Sequence, residues 1–216
     1  QAEGYEGLGA LYRSSQQFTQ ALVNYQKALP LVQQLVQPGA RCNGAVNPTW
    51  EANLQKNIGK VYQALGQLDE ALAAYRQAQA LAAGRDNSAL SDEMLAAIGN
   101  VYRLQGDFEQ ALALAQQLGD FGLEDKILNE IGQQLRQSGQ LDKALEPYEQ
   151  ALDRAKQVGD KAAEGRALAN LGRIYRALAD YKASEEAYNA ALVIVRDNPD
   201  QELESRVLLD LGKVYR

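Results

Sequence analysis

The stretch from Gly159 to Pro199, GDKAAEGRALANLGRIYRALADYKASEEAYNAALVIVRDNP, decides the fold. Its first half carries Leu171-Gly172 with Tyr175 three residues later. Its second half carries Ser184, Tyr188 and Ala191 at spacings of four and three, which place them on one face of a helix. Working outward, the first signature recurs at Leu8-Gly9/Tyr12, Ile58-Gly59/Tyr62, Ile98-Gly99/Tyr102, Ile131-Gly132/Leu135 and Leu211-Gly212/Tyr215. The second recurs at Ala21/Tyr25/Ala28, Ala71/Tyr75/Ala78 and Ala144/Tyr148/Ala151. Successive motif glycines lie 50, 40, 33, 40 and 40 residues apart, the period of a helical repeat array.

Each repeat therefore predicts a helix hairpin. The motif glycine is expected to let the small residue of the second helix approach closely, with Leu, Ile and the Tyr rings filling the groove around them. Gly66, Gly106 and Gly139, each seven residues after a motif glycine, mark the turn. Ala179 holds that place in the fifth repeat, where a tighter or more helical bend is expected. In the third repeat Ala115 replaces the aromatic and Leu118 the small residue, and the second helix is expected to end at Gly119-Asp120 with a local change of pitch. An inserted loop at 38–49, with Pro38, Gly39, Cys42, Gly44 and Pro48, separates the first two repeats, and Asn47 or Thr49 is placed to cap the next helix.

Composition agrees. Ala, Leu, Gln, Glu and Arg dominate, and Val, Ile and Thr are too sparse for a large sheet. No histidine is present and Cys42 is the sole cysteine, so Ser-His and Cys-His nucleophiles, a disulfide framework and thiol-rich metal sites are excluded. The glycines recur as structural positions, none in a phosphate-cradling loop. No catalytic residues, metal site or cofactor are implied. A net charge of −6 opposes nucleic acid as a default partner, and no stretch approaches the length of apolar residues that spans a bilayer. A cytoplasmic location is expected, although the start at Gln1 leaves a removed targeting segment open, and no feature fixes the oligomeric state.

These motifs closely resemble the tetratricopeptide repeat, in the extended subclass of about forty residues found in kinesin light chains, polarity scaffolds and many bacterial proteins. The resemblance covers nearly the whole chain. It implies an all-α, right-handed superhelical solenoid of five full hairpins and the first helix of a sixth. The chain is expected to form a single domain over 1–216 that belongs to a longer protein, because it stops before the sixth motif's partner helix.

The resemblance also implies a concave face lined by first helices. Four residues after the motif glycines stand Arg13, Gln63, Arg103, Arg136, Arg176 and Arg216. One residue after stand Ala10, Lys60, Asn100, Gln133, Arg173 and Lys213, and six before stand Glu3, Asn53, Glu93, Lys126, Arg166 and Arg206. Over all the concave positions, bases outnumber acids in a chain that is acidic overall. Arg13, Asn57, Lys60, Arg103, Arg136, Arg166, Asn170, Arg173, Arg176 and Lys213 are accordingly the candidate binding residues. An acidic peptide or protein segment is the implied partner, held by Arg forks, with Asn57 and Asn170 gripping its backbone. The same arginines could equally serve inter-repeat pairing, and the two asparagines could be simply solvated. The carboxylate clamp of chaperone-tail receptors does not fit, since Lys60 and Ala97 stand where it requires asparagine. Trp50 is more readily a packing residue than a partner anchor, and Cys42 has no activating histidine. The function implied is a non-catalytic protein-interaction scaffold. The alternative is a regulatory or sensor module of a multidomain protein, such as a caspase-like (CHAT-type) peptidase.

Overall fold

The computed structural model describes residues 1–36 and 49–216. Eleven helices are found among them and no strand: α1 (Ala2–Ser14), α2 (Phe18–Val36), α3 (Trp50–Ala64), α4 (Leu68–Ala83), α5 (Ser88–Gln105), α6 (Phe108–Leu118), α7 (Phe121–Gln137), α8 (Leu141–Val158), α9 (Lys161–Ala177), α10 (Tyr181–Asp197) and α11 (Gln201–Gly212). Odd-numbered helices carry the glycine motif, and five hairpins precede α11. The chain divides into two compact units, Gln1–Leu114 and Ala115–Arg216, with the division inside α6. The inserted loop, with Cys42 and the capping candidate Asn47, lies outside the described residues except for Thr49. Thr49 is the N-cap residue of α3 but makes no side-chain cap.

Short polar residues start many of the helices. Asn87, Asp120, Asp160, Asp180 and Asp200 each accept a hydrogen bond from the backbone N–H three residues on, satisfying a donor that the first turn leaves unpaired. The turns within the hairpins share one geometry. Gly66 has φ 74°, and its N–H donates to the Gln63 carbonyl while Gln67 N–H donates to that of Tyr62. Ala179 does the same at φ 63°, with Ala179 N–H donating to Arg176 and Asp180 N–H to Tyr175. The bend expected to tighten at Ala179 is therefore unchanged, and the side chain is carried into the left-handed region that favours glycine. Gln16, at φ 59°, is a second such case. The third repeat ends as its sequence predicts: α6 stops at Leu118, Gly119 turns at φ 64° and Asp120 caps α7.

The hairpins close on a tyrosine. Tyr25, Tyr75 and Tyr188 are among the largest fully buried side chains, and Tyr148 is 4% exposed. Each lies on the motif glycine of its own repeat. A Cβ on Gly9, Gly59, Gly132 or Gly172 would fall 2.6, 2.6, 2.6 or 2.8 Å from a ring carbon of Tyr25, Tyr75, Tyr148 or Tyr188. The glycine thus makes room for the aromatic ring, a correction to the expectation that it serves the small residue. Ala21, Ala28, Ala71, Ala78, Ala144 and Ala151 are fully or almost fully buried on the same faces and complete the core. Ser184 replaces alanine without leaving a polar orphan, because its hydroxyl donates to the Gly172 carbonyl at 2.8 Å. Core clusters also cross from one repeat to the next, as where Leu54, Ile58 and Val61 of α3 join Tyr25 and Val32 of α2. Trp50 is a packing residue: it lies against this cluster, and its Nε1 donates to Glu6 Oε2 at 2.6 Å.

Two stability effects follow. Gly59→Ala is expected to cost about 1–3 kcal/mol in urea unfolding by overpacking against Tyr75, and less in a Tyr75→Leu background. Ala179→Gly is expected to stabilise by up to about 1 kcal/mol, because it relieves the left-handed backbone at a site where no new contact is needed.

Candidate protein-binding face

In the second unit the motif helices α7, α9 and α11 lie side by side, joined by a continuous polar ladder. Asp125 pairs with Arg166 at 3.2 Å and accepts from Asn129 Nδ2 at 2.8 Å. Asn129 Oδ1 accepts from Asn170 Nδ2 at 2.7 Å, and Asn170 Oδ1 from Arg173 Nη1 at 3.3 Å. Arg173 Nε then reaches Asp210 at 3.0 Å, and Lys213 closes on the same carboxylate at 2.7 Å. The ladder borders an open basin of about 570 Å³, lined by Asp125, Lys126, Asn129, Glu130, Gln133, Arg136, Tyr148, Arg166, Asn170, Arg173 and Arg206. Five of these are cationic and two anionic. Lys126, Arg136 and Arg206 are exposed and make no hydrogen bond or ion pair with the described residues.

The structure separates the predicted residues into two groups. Arg136, Arg166, Asn170 and Arg173 meet at the basin. Arg176 lies one turn beyond Arg173 on α9, and Lys213 stands behind the basin on Asp210. The other candidates belong to the first unit, on α1, α3 and α5. There Lys60 and its neighbour Lys56 share Glu93 of α5, at 3.5 and 3.1 Å. Arg103 is held by Asn100 Oδ1 at 3.0 Å, Asn57 is half-buried, and Arg13 has a buried Nε with no hydrogen-bond partner among the described residues. Inter-repeat pairing therefore engages Lys60, Arg166 and Arg173. In the row four residues after the glycine, no ion pair among the described residues involves Arg13, Arg136 or Arg176.

Asn129 and Tyr148 were not among the predicted binding residues. Asn129 sits three residues before its glycine, and a polar side chain there was its only signal. Tyr148 was assigned to the core, and it does pack there, but tip first. Its Cζ is the ring atom nearest Gly132, whereas in the first, second and fifth repeats the ring's side lies over the glycine.

The charged groups on these faces are tuned by their partners. Burial would push the Asp210 carboxyl up, but the hydrogen bond from Lys213 and the charges of Arg173 and Lys213 outweigh it and hold the group below its ordinary 3.8. Glu93 is held low in the same way: burial pushes it up, and Lys56 and Lys60 more than offset this. No group of His, Cys, Asp and Glu among the described residues could hold a metal ion, and no described helix is long and apolar enough to cross a membrane.

Polar motif helices in parallel, closed behind by tyrosine-on-glycine hairpins, define a helical-repeat interaction scaffold. The tetratricopeptide repeat family model matches residues 50–118 and 124–197, more than half of the chain, and the chain belongs to this family of protein-interaction repeats. Among solved structures it is similar to BtubC (BKLC) from P. vanneervenii, with 20% identity, 92% of this chain and 82% of that chain covered, and a TM-score of 0.54. A tetratricopeptide repeat protein from Parabacteroides merdae ATCC 43184 is 19% identical over 98% of this chain and 74% of that chain, with a TM-score of 0.58. The apo form of RapI is 14% identical over 99% and 70%, with a TM-score of 0.60. At such identities the likeness concerns the fold alone. Comparison with curated proteins finds no match.

The Asp210 network gives a pH signature. A carboxylate whose pKa is depressed by folding contributes stability above its unfolded value, and that contribution disappears as the pH falls through the folded value. The unfolding midpoint of the parent is therefore expected to fall more steeply below about pH 4 than that of Asp210→Asn, which starts lower at neutral pH. Parallel curves for the two proteins would count against the network.

Proposed function

We propose that this scaffold binds an acidic segment of a partner protein on the face formed by α7, α9 and α11. The observation that carries this reading is the set of three exposed cations, Lys126, Arg136 and Arg206, that line one basin and make no ion pair among the described residues. Cations needed only to join repeats would be neutralised across the helices, as Arg166 and Arg173 are. A basin with five cations to two anions focuses a net positive field on an incoming carboxylate, and Arg forks can take it in two hydrogen bonds. The ladder amides Asn129 and Asn170, and Gln133 in the basin lining, supply donors and acceptors for the segment's backbone. Arg166 and Arg173 play a double part in this reading: their pairs with Asp125 and Asp210 fix their direction, and the remaining N–H groups face the basin.

Fluorescence anisotropy with a labelled Glu-rich peptide tests this. The parent is expected to bind, and to weaken as ionic strength rises from about 50 to about 300 mM, because exposed charges are screened over that range. The triple variant Lys126→Gln/Arg136→Gln/Arg206→Gln should lose about tenfold or more in affinity with its helicity unchanged. Equal affinity of parent and variant would remove the basin from the binding site.

A further inference from the structure

The position nine residues before the motif glycine is large and apolar in every repeat that has it but one: Trp50, Leu90, Leu123 and Leu203, with Ala163 the exception. A second position, twenty-two residues after the glycine on the second helix of a hairpin, holds Leu31, Leu81, Arg154 and Ile194. The two meet where one repeat joins the next. Trp50 and Leu31 pack on one core cluster, and Leu90 and Leu81 share another. Leu203 and Ile194 meet over Gly165, where a Cβ would lie 3.5 and 3.6 Å from them. Two bulky apolar side chains, one from each helix, close these joints.

The joint of α8 with α9 has neither. Ala163 is too short to cross it, and Arg154 turns aside. Its Nε donates to Glu124 Oε2 at 3.0 Å, and its guanidinium lies 4.6 Å from the centre of the Phe121 ring. A pocket of about 180 Å³ is left, walled by Phe121 of α7, Ala151, Ala155 and Val158 of α8 and Ala163 of α9. Phe121 and Val158 are exposed, so the pocket is not closed from solvent. An unfilled apolar pocket forfeits the contacts that its lining atoms would otherwise make. Elsewhere the chain fills this place with its own leucine, so a side chain of that size and character fits it here.

The polar edge of the pocket belongs to the basin. Asp125, Lys126 and Arg166 line both, and the Asp125–Arg166 pair at 3.2 Å stands in the wall between them. We propose that this pocket receives one aliphatic side chain, leucine in size, of the acidic segment bound in the adjoining basin. The proposal rests on the acidic-segment reading above and adds an apolar anchor to it. The two parts divide the work: the basin's charge steers and orients the segment, and the buried side chain adds affinity that salt does not screen.

Labelled Glu-rich peptides carrying a single leucine, moved one position at a time along the peptide, test this against the same peptides carrying serine there. By fluorescence anisotropy, leucine is expected to tighten binding to the parent about tenfold at one position or two adjacent ones, the effect of burying one side chain of this size. The gain should persist at about 300 mM salt, where the charged contacts are screened. Ala163→Leu supplies the residue that three other repeats carry at this place. It is expected to close the pocket and erase the gain while leaving the serine peptides unchanged. Ala155→Val copies Val32 and Val195, twenty-three residues after their glycines, and narrows the pocket from the α8 side. It should lower the gain, which covers the case in which Ala163→Leu folds poorly. Serine peptides that bind with no gain at any leucine position, or a gain undiminished in the folded variants, would overturn the pocket and leave the acidic-segment reading standing. Failure of every peptide to bind the parent would overturn both.

Discussion

The fold depends on one contact, the tyrosine ring of each second helix laid on the motif glycine of the first. Removing a Cβ from the first helix admits a whole aromatic ring, so a single small residue per repeat sets how deeply the hairpin closes. The flanking alanines are small because the ring has already brought the helices together. The same contact orients the face. With the ring on one side of the motif helix, the residue one after the glycine is left for charge, while the residue four after it borders the hairpin core, as Gln63 does in accepting from the Tyr75 hydroxyl. Where the ring is missing, in the third repeat, the core falls to Ala111 and Ala115, and the second helix shortens to end at Leu118.

Charge on the motif helices does two jobs. Lys60, Arg166 and Arg173 bridge to Glu93, Asp125 and Asp210 on neighbouring repeats, whereas Lys126 and Arg206, at the same place relative to the glycine as Arg166, make no ion pair among the described residues. Arg13, Arg136 and Arg176, four residues after the glycine, make no ion pair among the described residues. Part-exposed bridges of this kind are each worth little. Their use is to hold Arg166, Asn170 and Arg173 in fixed directions around the basin, which preorganises the surface for a charged segment.

Much of this could be read before any coordinates. The recurring glycine period located the hairpins, and Gly119-Asp120 the C-terminal end of α6, because a recurring period carries more information than any single propensity. The roles of particular residues were harder. Ala179 looked like a departure from the glycine turn, yet the hairpin on either side imposes the left-handed backbone whichever residue stands there. Pairing across repeats was invisible from spacing alone, since Asp125 and Arg166 lie 41 residues apart in sequence and meet only once the helices align. Tyr148 was hidden for a different reason. Its ring belongs to the core by every sequence criterion, and only the tip-first approach to Gly132 brings the phenol toward the basin.

The triangle of Lys56, Lys60 and Glu93 has an evolutionary asymmetry. Two lysines from consecutive turns of α3 converge on a single carboxylate of α5. Drift at either lysine leaves the other in place, so the link between the two repeats survives. Drift at Glu93 strands two like charges side by side with nothing to neutralise them. Selection should therefore weigh far more heavily on the lone acid than on either base, and descendants of this sequence should vary at Lys56 and Lys60 one at a time while Glu93 stays put.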